Sequence, residues 1–473
     1  MPEATLTFDR GTLLLEPSTL PEELVPTGFV RDLRAGGRFR APASTYRRAV
    51  AHLVRAGVAL TDAARGYREL DLRMTCRREA FPYQSEALAA WEQASRRGLV
   101  ALPTGAGKTF VAELAVAAAR RSTLVIVPTL DLVAQWARRL GLTFGVEIGM
   151  LGGGTNEVRD ITVTTYDSAY LHMDRLGGRF GLLVFDEAHH LPSDAYAQAA
   201  ELAIAPFRLG LTATPERADG LHVRLDDLCG PIVYRRSVSE LRGEYLADYD
   251  VVRIEVDLRP EERARHDAAR AEYRRFVKDQ GIKMGGPTGW QRFIEATSRS
   301  TVGRSAFRAY QEQRRIALAS ESKLAVLEEL FREHRDDKMV FFAHDNRTVH
   351  EISTRWLVPV ITHETEVAER RRLLLGLDEG RWRVLGTSRV LNEGVDMPDV
   401  SVGVVLSGSG SVREHVQRLG RILRRGSGKH ATLYELVTAD TVDAFTSERR
   451  RDHEAYDAGQ GGRPPWRTPE GPC

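Results

Sequence analysis

Leu102-Pro103-Thr104-Gly105-Ala106-Gly107-Lys108-Thr109 is the stretch on which the reading of this chain turns. It sits between a short β-branched run, Gly98 to Leu102, and an amphipathic helical pattern. Glycines in such a turn let backbone N–H groups approach phosphate oxygens, and the following helix N-terminus favours an anion. Lys108 is placed to reach the β and γ phosphates of ATP, and the Thr109 hydroxyl is a candidate ligand of Mg²⁺. The strict phosphate-loop pattern has Gly where Leu102 stands, so the strand-loop-helix context carries the assignment. Thr104, Gly105, Ala106, Gly107, Lys108 and Thr109 form the expected nucleotide-binding set.

Outward from this loop, apolar runs alternate with helix-length segments. Gly98–Leu102, Thr123–Val127, Ile161–Thr165, Leu182–Phe185 and Arg208–Thr212 are expected strands of one parallel sheet. Lys338–Ala343, Arg383–Thr387, Val402–Leu406 and Ala431–Val437 are expected strands of a second, separated by helical stretches such as Val367–Leu375. Two stacked α/β lobes account for the pattern. With 473 residues the chain exceeds one ordinary core, which stops growing near roughly 250 to 300 residues. Residues 1–72 form an N-terminal accessory segment mixing short strands and helices. Leu258 to Ala319 is a block rich in Arg and aromatics, broken near Gly285 and Gly286, and reads as an inserted pair of helices, a thumb. Residues 456–473 hold Gly and Pro with few apolar residues and read as a disordered tail.

The apolar share of 42% and charged share of 28% are those of a soluble globular protein, and no run of about 18 uncharged apolar residues exists to span a bilayer. Met1 to Thr5 does not begin a secretory signal, so a cytoplasmic location is expected. Cys76, Cys229 and Cys473 lack the paired spacing of a zinc or iron-sulfur site. A net charge of +2 puts any nucleic-acid surface into local patches.

Some 75 residues beyond the loop, the apolar run Leu182–Phe185 ends in Asp186-Glu187-Ala188-His189. Two carboxylates there suit phosphate hydrolysis: Asp186 to hold Mg²⁺ through water, Glu187 to polarise the attacking water. His189 and His190 lack the spacing of a zinc protease helix, which favours Mg²⁺ over a transition metal. Charge developing on the γ-phosphate needs further cations. Gln417-Arg418-Leu419-Gly420-Arg421-Ile422-Leu423-Arg424 supplies them: Arg421 and Arg424 share one helical face, with Gln417 a turn earlier.

The ordered series Pro82-Tyr83-Gln84, Thr104 to Thr109, Val127-Pro128-Thr129, Asp186 to His189, Thr212-Ala213-Thr214, Val340 to Ala343, Gly394-Val395-Asp396 and Gln417 to Arg421 resembles the motif set of superfamily 2 helicases. Thr165 to Tyr170, Ala205 to Gly210 and Ser407 to Gly410 are similar to the XPB (xeroderma pigmentosum group B) family of archaeal and bacterial type, over about residues 80 to 450. The resemblance implies an α/β fold of two tandem RecA-like parallel-sheet lobes, about 73–240 and 241–455, with an N-terminal domain of damage-recognition type and a thumb at about 258–319. It implies an ATP-dependent DNA helicase or translocase moving 3′ to 5′ in DNA repair, sequence-independent on single strands and duplex junctions, with a possible partner nuclease. Gln84 is the implied adenine contact and Asp396 the implied ribose contact, with Gly394 in the same nucleotide-binding set and Phe81, able to stack on the base, standing where such helicases often place Arg. Thr212 and Thr214 are the implied coupling residues. Pro128, Thr129, Thr164, Thr165, Thr387, Arg217 and Asp219 are the implied DNA contacts. The family's Arg-Glu-Asp motif reads Arg217-Ala218-Asp219, without its acidic centre. Arg274, Arg275 and Lys278, beside Tyr273 and Phe276, suit a phosphate clamp with aromatic stacking. The alternatives are an RNA helicase, or an ATP-gated damage-binding scaffold that recruits a nuclease.

Overall fold

The computed structural model describes residues 2–17, 20–75, 78–217, 219–241, 245, 248–285, 288–388, 400–407 and 430–444. Ala218, Gly394, Asp396, Gln417, Arg421, Arg424 and the tail at 456–473 lie outside the described residues. Two compact units divide between Ser237 and Val238.

The first unit opens with β1 (Glu3–Asp9), β2 (Thr12–Pro17), β3 (Val30–Asp32), β4 (Arg38–Pro42), α1 (Tyr46–Arg55) and β5 (Ala59–Asp62). These strands form a sheet in the order β3-β4-β2-β1-β5, antiparallel except where β1 runs parallel to β5. Alternation along β1 and β2 turns Ala4, Leu6, Leu13 and Leu15 inward, where they meet Tyr46 and Leu53 of α1. Ile204, from the domain that follows, joins this same cluster. Backbone bonds from Leu70 N–H to Arg120 O (2.9 Å), Ser122 N–H to Arg68 O (2.9 Å) and Thr75 N–H to Thr143 O (2.8 Å) stitch the connecting segment down.

The parallel domain that follows holds α2 (Pro82–Gln93), β6 (Arg97–Ala101), α3 (Lys108–Ala119), β7 (Thr123–Val127), α4 (Leu130–Phe144), β8 (Gly149–Gly152), β9 (Thr155–Glu157), β10 (Ile161–Thr165), α5 (Tyr166–Leu176), β11 (Leu182–Asp186), α6 (Asp194–Glu201), β12 (Phe207–Thr212), α7 (Leu225–Leu228) and β13 (Ile232–Arg235). The strand order is β13-β6-β12-β11-β7-β10-β8-β9, parallel but for the edge strand β9. β7, β10 and β11 are buried along their whole length, because helices cover both faces of such a sheet, and apart from Asp186 at the end of β11 they read in sequence as apolar or threonine runs. On one face Leu99, Leu124, Ile126, Leu183 and Phe185 pack with Tyr166 and Met173 of α5 and Ala197 and Ala200 of α6. Arg208, inside the Ala205–Gly210 stretch, is buried. Its guanidinium donates to the carbonyls of Ala200, Ala203, Ala205 and Leu228 at 2.5–3.3 Å, which ties three segments to β12. Burial, then the neighbouring Arg97, pulls its pKa down to about 9, so it stays charged at neutral pH.

The second unit begins with α8 (Val238–Leu241) and β14 (Asp248–Val256). A helical insertion follows, α9 (Pro260–Asp279), α10 (Gly289–Ser298) and α11 (Thr301–Leu318). The expected pair of helices is therefore three; Ser300 caps α11 by accepting the Gly303 N–H at 2.9 Å, which starts a new helix within two residues of α10. Then come α12 (Glu321–Glu333), β15 (Met339–Phe342), α13 (Asn346–Trp356), β16 (Val360–Ile361), α14 (Val367–Asp378), β17 (Val384–Thr387), β18 (Val402–Val405) and β19 (His430–Thr438). The described strands form an all-parallel sheet in the order β14-β19-β18-β15-β17-β16. Met339, Phe341, Val402 and Val404 pack with Leu324, Leu327 and Leu330 of α12 and Ile352 of α13. Glu262, buried in α9, joins insertion to sheet domain: its carboxylate accepts the Glu321 N–H (2.8 Å), the Arg259 N–H (3.3 Å) and the Ser322 hydroxyl (3.2 Å). No helix among the described residues is long and apolar enough to cross a membrane.

Candidate nucleotide site and nucleic-acid contacts

β6 ends at Ala101, and Leu102 is pinned by its N–H to the Thr212 carbonyl at 3.0 Å. The chain then turns through Gly105 (φ +88°) and Gly107 (φ +74°) before α3 begins at Lys108. Both angles lie in the left-handed region, where a side chain is strained. At Gly107 a Cβ would also stand 2.6 Å from Nε2 of Gln84. The Ala106 carbonyl accepts the Tyr83 hydroxyl (2.8 Å) and the Gln84 amide (3.2 Å), so α2 holds the loop in shape. Lys108 Nζ reaches back to the Leu102 carbonyl at 3.2 Å, and the buried Thr104 hydroxyl has no hydrogen-bond partner. A loop with two left-handed glycines, a lysine across its mouth and an unsatisfied hydroxyl is a fitting cradle for a phosphate chain.

β11 delivers Asp186 and Glu187 to the same end of the sheet, because β11 lies beside β12, which itself pairs with β6. Asp186 is buried. Its Oδ1 accepts the Glu187 N–H (3.0 Å) and its Oδ2 the indole N–H of Trp136 (2.9 Å). Burial, and after it the Glu187 carboxylate, pushes the Asp186 carboxyl up to about 6, while Lys108 and Trp136 pull the other way. Glu187 adopts φ +47°, costly for a side chain with a Cβ and typical of a constrained functional turn. Its Oε2 is buried without a hydrogen bond, 3.5 Å from His189 Nδ1. That nitrogen is 3.1 Å from the Thr212 hydroxyl, which donates to the Thr214 carbonyl at 3.2 Å. Thr212 thus touches the phosphate loop through its backbone and the carboxylate turn through its side chain. Thr109 and Asp186 offer hard oxygen donors of the kind Mg²⁺ takes when the remaining ligands are water and phosphate.

The remaining implied contacts are placed as follows. Gln84 is buried, with Oε1 accepting the Phe81 N–H (3.1 Å) and Nε2 donating to the Ala106 carbonyl (3.2 Å) and the Tyr83 hydroxyl (3.5 Å), so its carboxamide already serves the loop and α2. Phe81 is half-exposed and stacks on Tyr83, centroids 5.8 Å apart. Thr164 is buried, its hydroxyl donating to the Leu151 carbonyl (3.0 Å), and Thr387 is buried in β17. The Thr165 hydroxyl accepts the Ser168 N–H at 3.2 Å and caps α5. Pro128 and Thr129 remain partly exposed at the start of α4, where Thr129 is the cap. Arg217 is spent internally: Nε and Nη2 hold the Asp219 carboxylate (2.9 and 2.5 Å), and Nη1 donates to the His189 carbonyl (2.6 Å). The Asp219 carboxyl is held well below its usual range by that fork. The pair therefore braces the carboxylate turn.

On α9, Arg274, Arg275 and Lys278 are exposed. Phe276 is buried and Tyr273 packs edge-on against Phe293, centroids 5.5 Å apart, inside the core that the three insertion helices share. Phe276 thus serves the core of the insertion and Tyr273 is partly buried against it, while the three charges are exposed. Replacing Arg274, Arg275 and Lys278 together by Ala is expected to lower the salt slope of DNA binding by about 0.7 to 0.9 per lost phosphate contact. Basal ATPase should be unaffected. An unchanged slope in a salt titration of affinity would make these charges a solvated face.

Comparison with known proteins follows the same division. Residues 77–217 match the model of the Type III restriction enzyme, res subunit. Residues 306–460 match the ERCC3/RAD25/XPB C-terminal helicase, and residues 6–64 the Xeroderma pigmentosum group B helicase damage recognition domain. A DNA 3′-5′ translocase XPB2 of Sulfurisphaera tokodaii is 43% identical over 370 residues, 78% of this chain and 84% of that one. A DNA 3′-5′ helicase XPB of Kineococcus radiotolerans is 33% identical over 387 residues, 78% of this chain and 62% of that one. Among solved structures, the Pyrococcus furiosus Hef helicase domain shares the fold, with a TM-score of 0.51 at 19% identity over 78% of this chain and 97% of that one. The two parallel-sheet domains are helicase RecA-like lobes, and the chain belongs to the XPB family of superfamily 2 helicases.

Proposed function

We propose that this protein couples ATP hydrolysis to 3′ to 5′ movement on DNA, or to its unwinding, in DNA repair. The observation that carries the reading is the unbroken run of contacts from Lys108 and Leu102 through Thr212 and His189 to Glu187 and Asp186. In this reading Lys108 meets the β and γ phosphates, and Thr109 and Asp186 hold Mg²⁺. The ion, when bound, neutralises phosphate charge and orients the γ-phosphate. Glu187, its Oε2 free of any hydrogen bond, takes the attacking water. His189 relays the state of that carboxylate to Thr212 and Thr214. Gln84 and Phe81 meet the base. Gly394 and Asp396 for the ribose, and Gln417, Arg421 and Arg424 for the developing charge, complete the proposal from the sequence.

Pro128 and Thr129, at the exposed start of α4, are proposed to meet the nucleic-acid backbone, a grip that ignores sequence and weakens with salt. A partner nuclease is part of the same reading and rests on the family resemblance. The test compares ATPase stimulation by single-stranded DNA and RNA of equal length. DNA stimulation with weak or absent RNA stimulation is the expected result. Equal stimulation by RNA would return the assignment to an RNA helicase, and a nuclease activated without hydrolysis would make the chain a scaffold.

A further inference from the structure

Trp136 lies about two turns along α4 from Thr129, well away from the phosphate loop in sequence. Its ring is buried, with Val133, Ala137 and Leu140, on the buried face of an amphipathic helix. A buried indole N–H still needs an acceptor. Among the described residues the other fully buried tryptophan, Trp91, satisfies this need on a main-chain carbonyl, that of Arg208 at 2.9 Å. Trp136 instead donates to Oδ2 of Asp186, across 50 residues of sequence, while the Glu187 N–H takes Oδ1. Each carboxylate oxygen is held by one donor from a different direction, which fixes the rotation of the group. One turn further along α4, Arg139 pairs through Nε with the buried Glu113 of α3, the helix that Lys108 begins. A single helix therefore touches both the carboxylate and the phosphate-loop helix from its middle turns, with the partly exposed Thr129 at its N-terminal cap.

We propose that Trp136 is a positioning residue: its indole N–H sets the Asp186 carboxylate for Mg²⁺ and makes α4 the mechanical link between the nucleic-acid end of the lobe and the nucleotide site. The inference rests on the reading of Asp186 as the metal-holding carboxylate. Donors that orient a ligating carboxylate typically change metal affinity or activity by about 10- to 100-fold when removed. A helix that shifts when its N-terminus grips DNA would rotate Asp186 through this bond and so change how readily the site takes the ion.

The experiment replaces Trp136 by Phe, and separately by benzothienylalanine, which keeps the indole shape and lacks the N–H. A fluorescent ADP analogue reports binding with and without Mg²⁺, and thermal unfolding reports folding. The expected result in both variants is a Mg²⁺ requirement for nucleotide binding raised by about tenfold or more. Binding without Mg²⁺ should be unchanged, and stimulation of ATPase by DNA reduced. An unchanged Mg²⁺ requirement in the benzothienylalanine protein overturns the positioning role, and a raised requirement with full DNA stimulation overturns the link along α4. Asp186→Asn separates the two layers. If that variant keeps native Mg²⁺-dependent binding, the reading of Asp186 itself fails; if it loses such binding while the Trp136 variants do not, only this inference fails.

Discussion

Glu187→Gln is expected to bind ATP as the native protein does and to turn it over about 10² to 10⁴ times more slowly, the usual contribution of a positioned general base. The amide keeps the size of the side chain and the φ +47° turn, so Asp186 still receives the N–H of residue 187 on Oδ1. What is lost is the charge on Oε2, an oxygen buried without a hydrogen-bond partner and 3.5 Å from His189 Nδ1. Leaving such an oxygen unpaired is costly, and a site that hydrolyses ATP offsets that cost by supplying a water at the moment of reaction. Lys108→Ala differs in kind, since it removes a cation felt both in binding and at the reacting phosphate. The pair is distinguished by equilibrium binding of a nucleotide and by steady-state hydrolysis. Native turnover in Glu187→Gln would remove that residue from the chemistry.

Lys323→Met is expected to destabilise the second unit by about 3 to 5 kcal/mol, the cost of leaving a buried charge without its partner. Lys323 and Asp443 are both fully buried; Nζ donates to Asp443 Oδ2 (2.5 Å) and to the Leu406 carbonyl (2.9 Å). Among the described residues Asp443 otherwise receives the Thr438 N–H on Oδ2 (3.1 Å), and its Oδ1 has no hydrogen-bond partner there. A domain is stable by only about 5 to 15 kcal/mol, so the loss is a large share. Lys323→Met with Asp443→Asn should recover part of it, because the neutral amide no longer needs a counter-charge. Urea unfolding of the two variants measures the difference. A double variant no more stable than Lys323→Met would show that packing, and not charge, sets the cost.

The phosphate loop, the Asp186-Glu187 turn and the central strands were legible because each is local. Phosphate recognition needs glycines, a lysine and a hydroxyl within one turn, and a strand covered on both faces leaves an unbroken apolar run. β8, β9, β13 and β14 were not foreseen. β9 and β13 lie at one edge of their sheet or the other and are partly or wholly exposed, and β14 alternates polar and apolar residues in Asp248–Val256, so none carries the signature of a buried parallel strand. The third insertion helix was hidden by the two-residue step between Ser298 and Thr301.

The direction in which a polar side chain is spent depends on partners far along the chain, and there the sequence was silent. Thr164 and Thr387 carry hydroxyls that fit a DNA contact by type, yet both are buried in strands. Arg217 fits a phosphate contact by type, yet its guanidinium closes on Asp219 and the His189 carbonyl 28 residues away. Trp136 reads as core from its helical spacing, and only the approach of β11 brings Asp186 to its N–H. The sequence by itself determined the chemistry available to this protein, since a nucleotide loop and a paired-carboxylate turn are short motifs whose backbone geometry is encoded by neighbouring residues. The tertiary structure alone decided which donors and acceptors meet, because a buried polar group must be satisfied by whatever the packing of distant elements sets beside it.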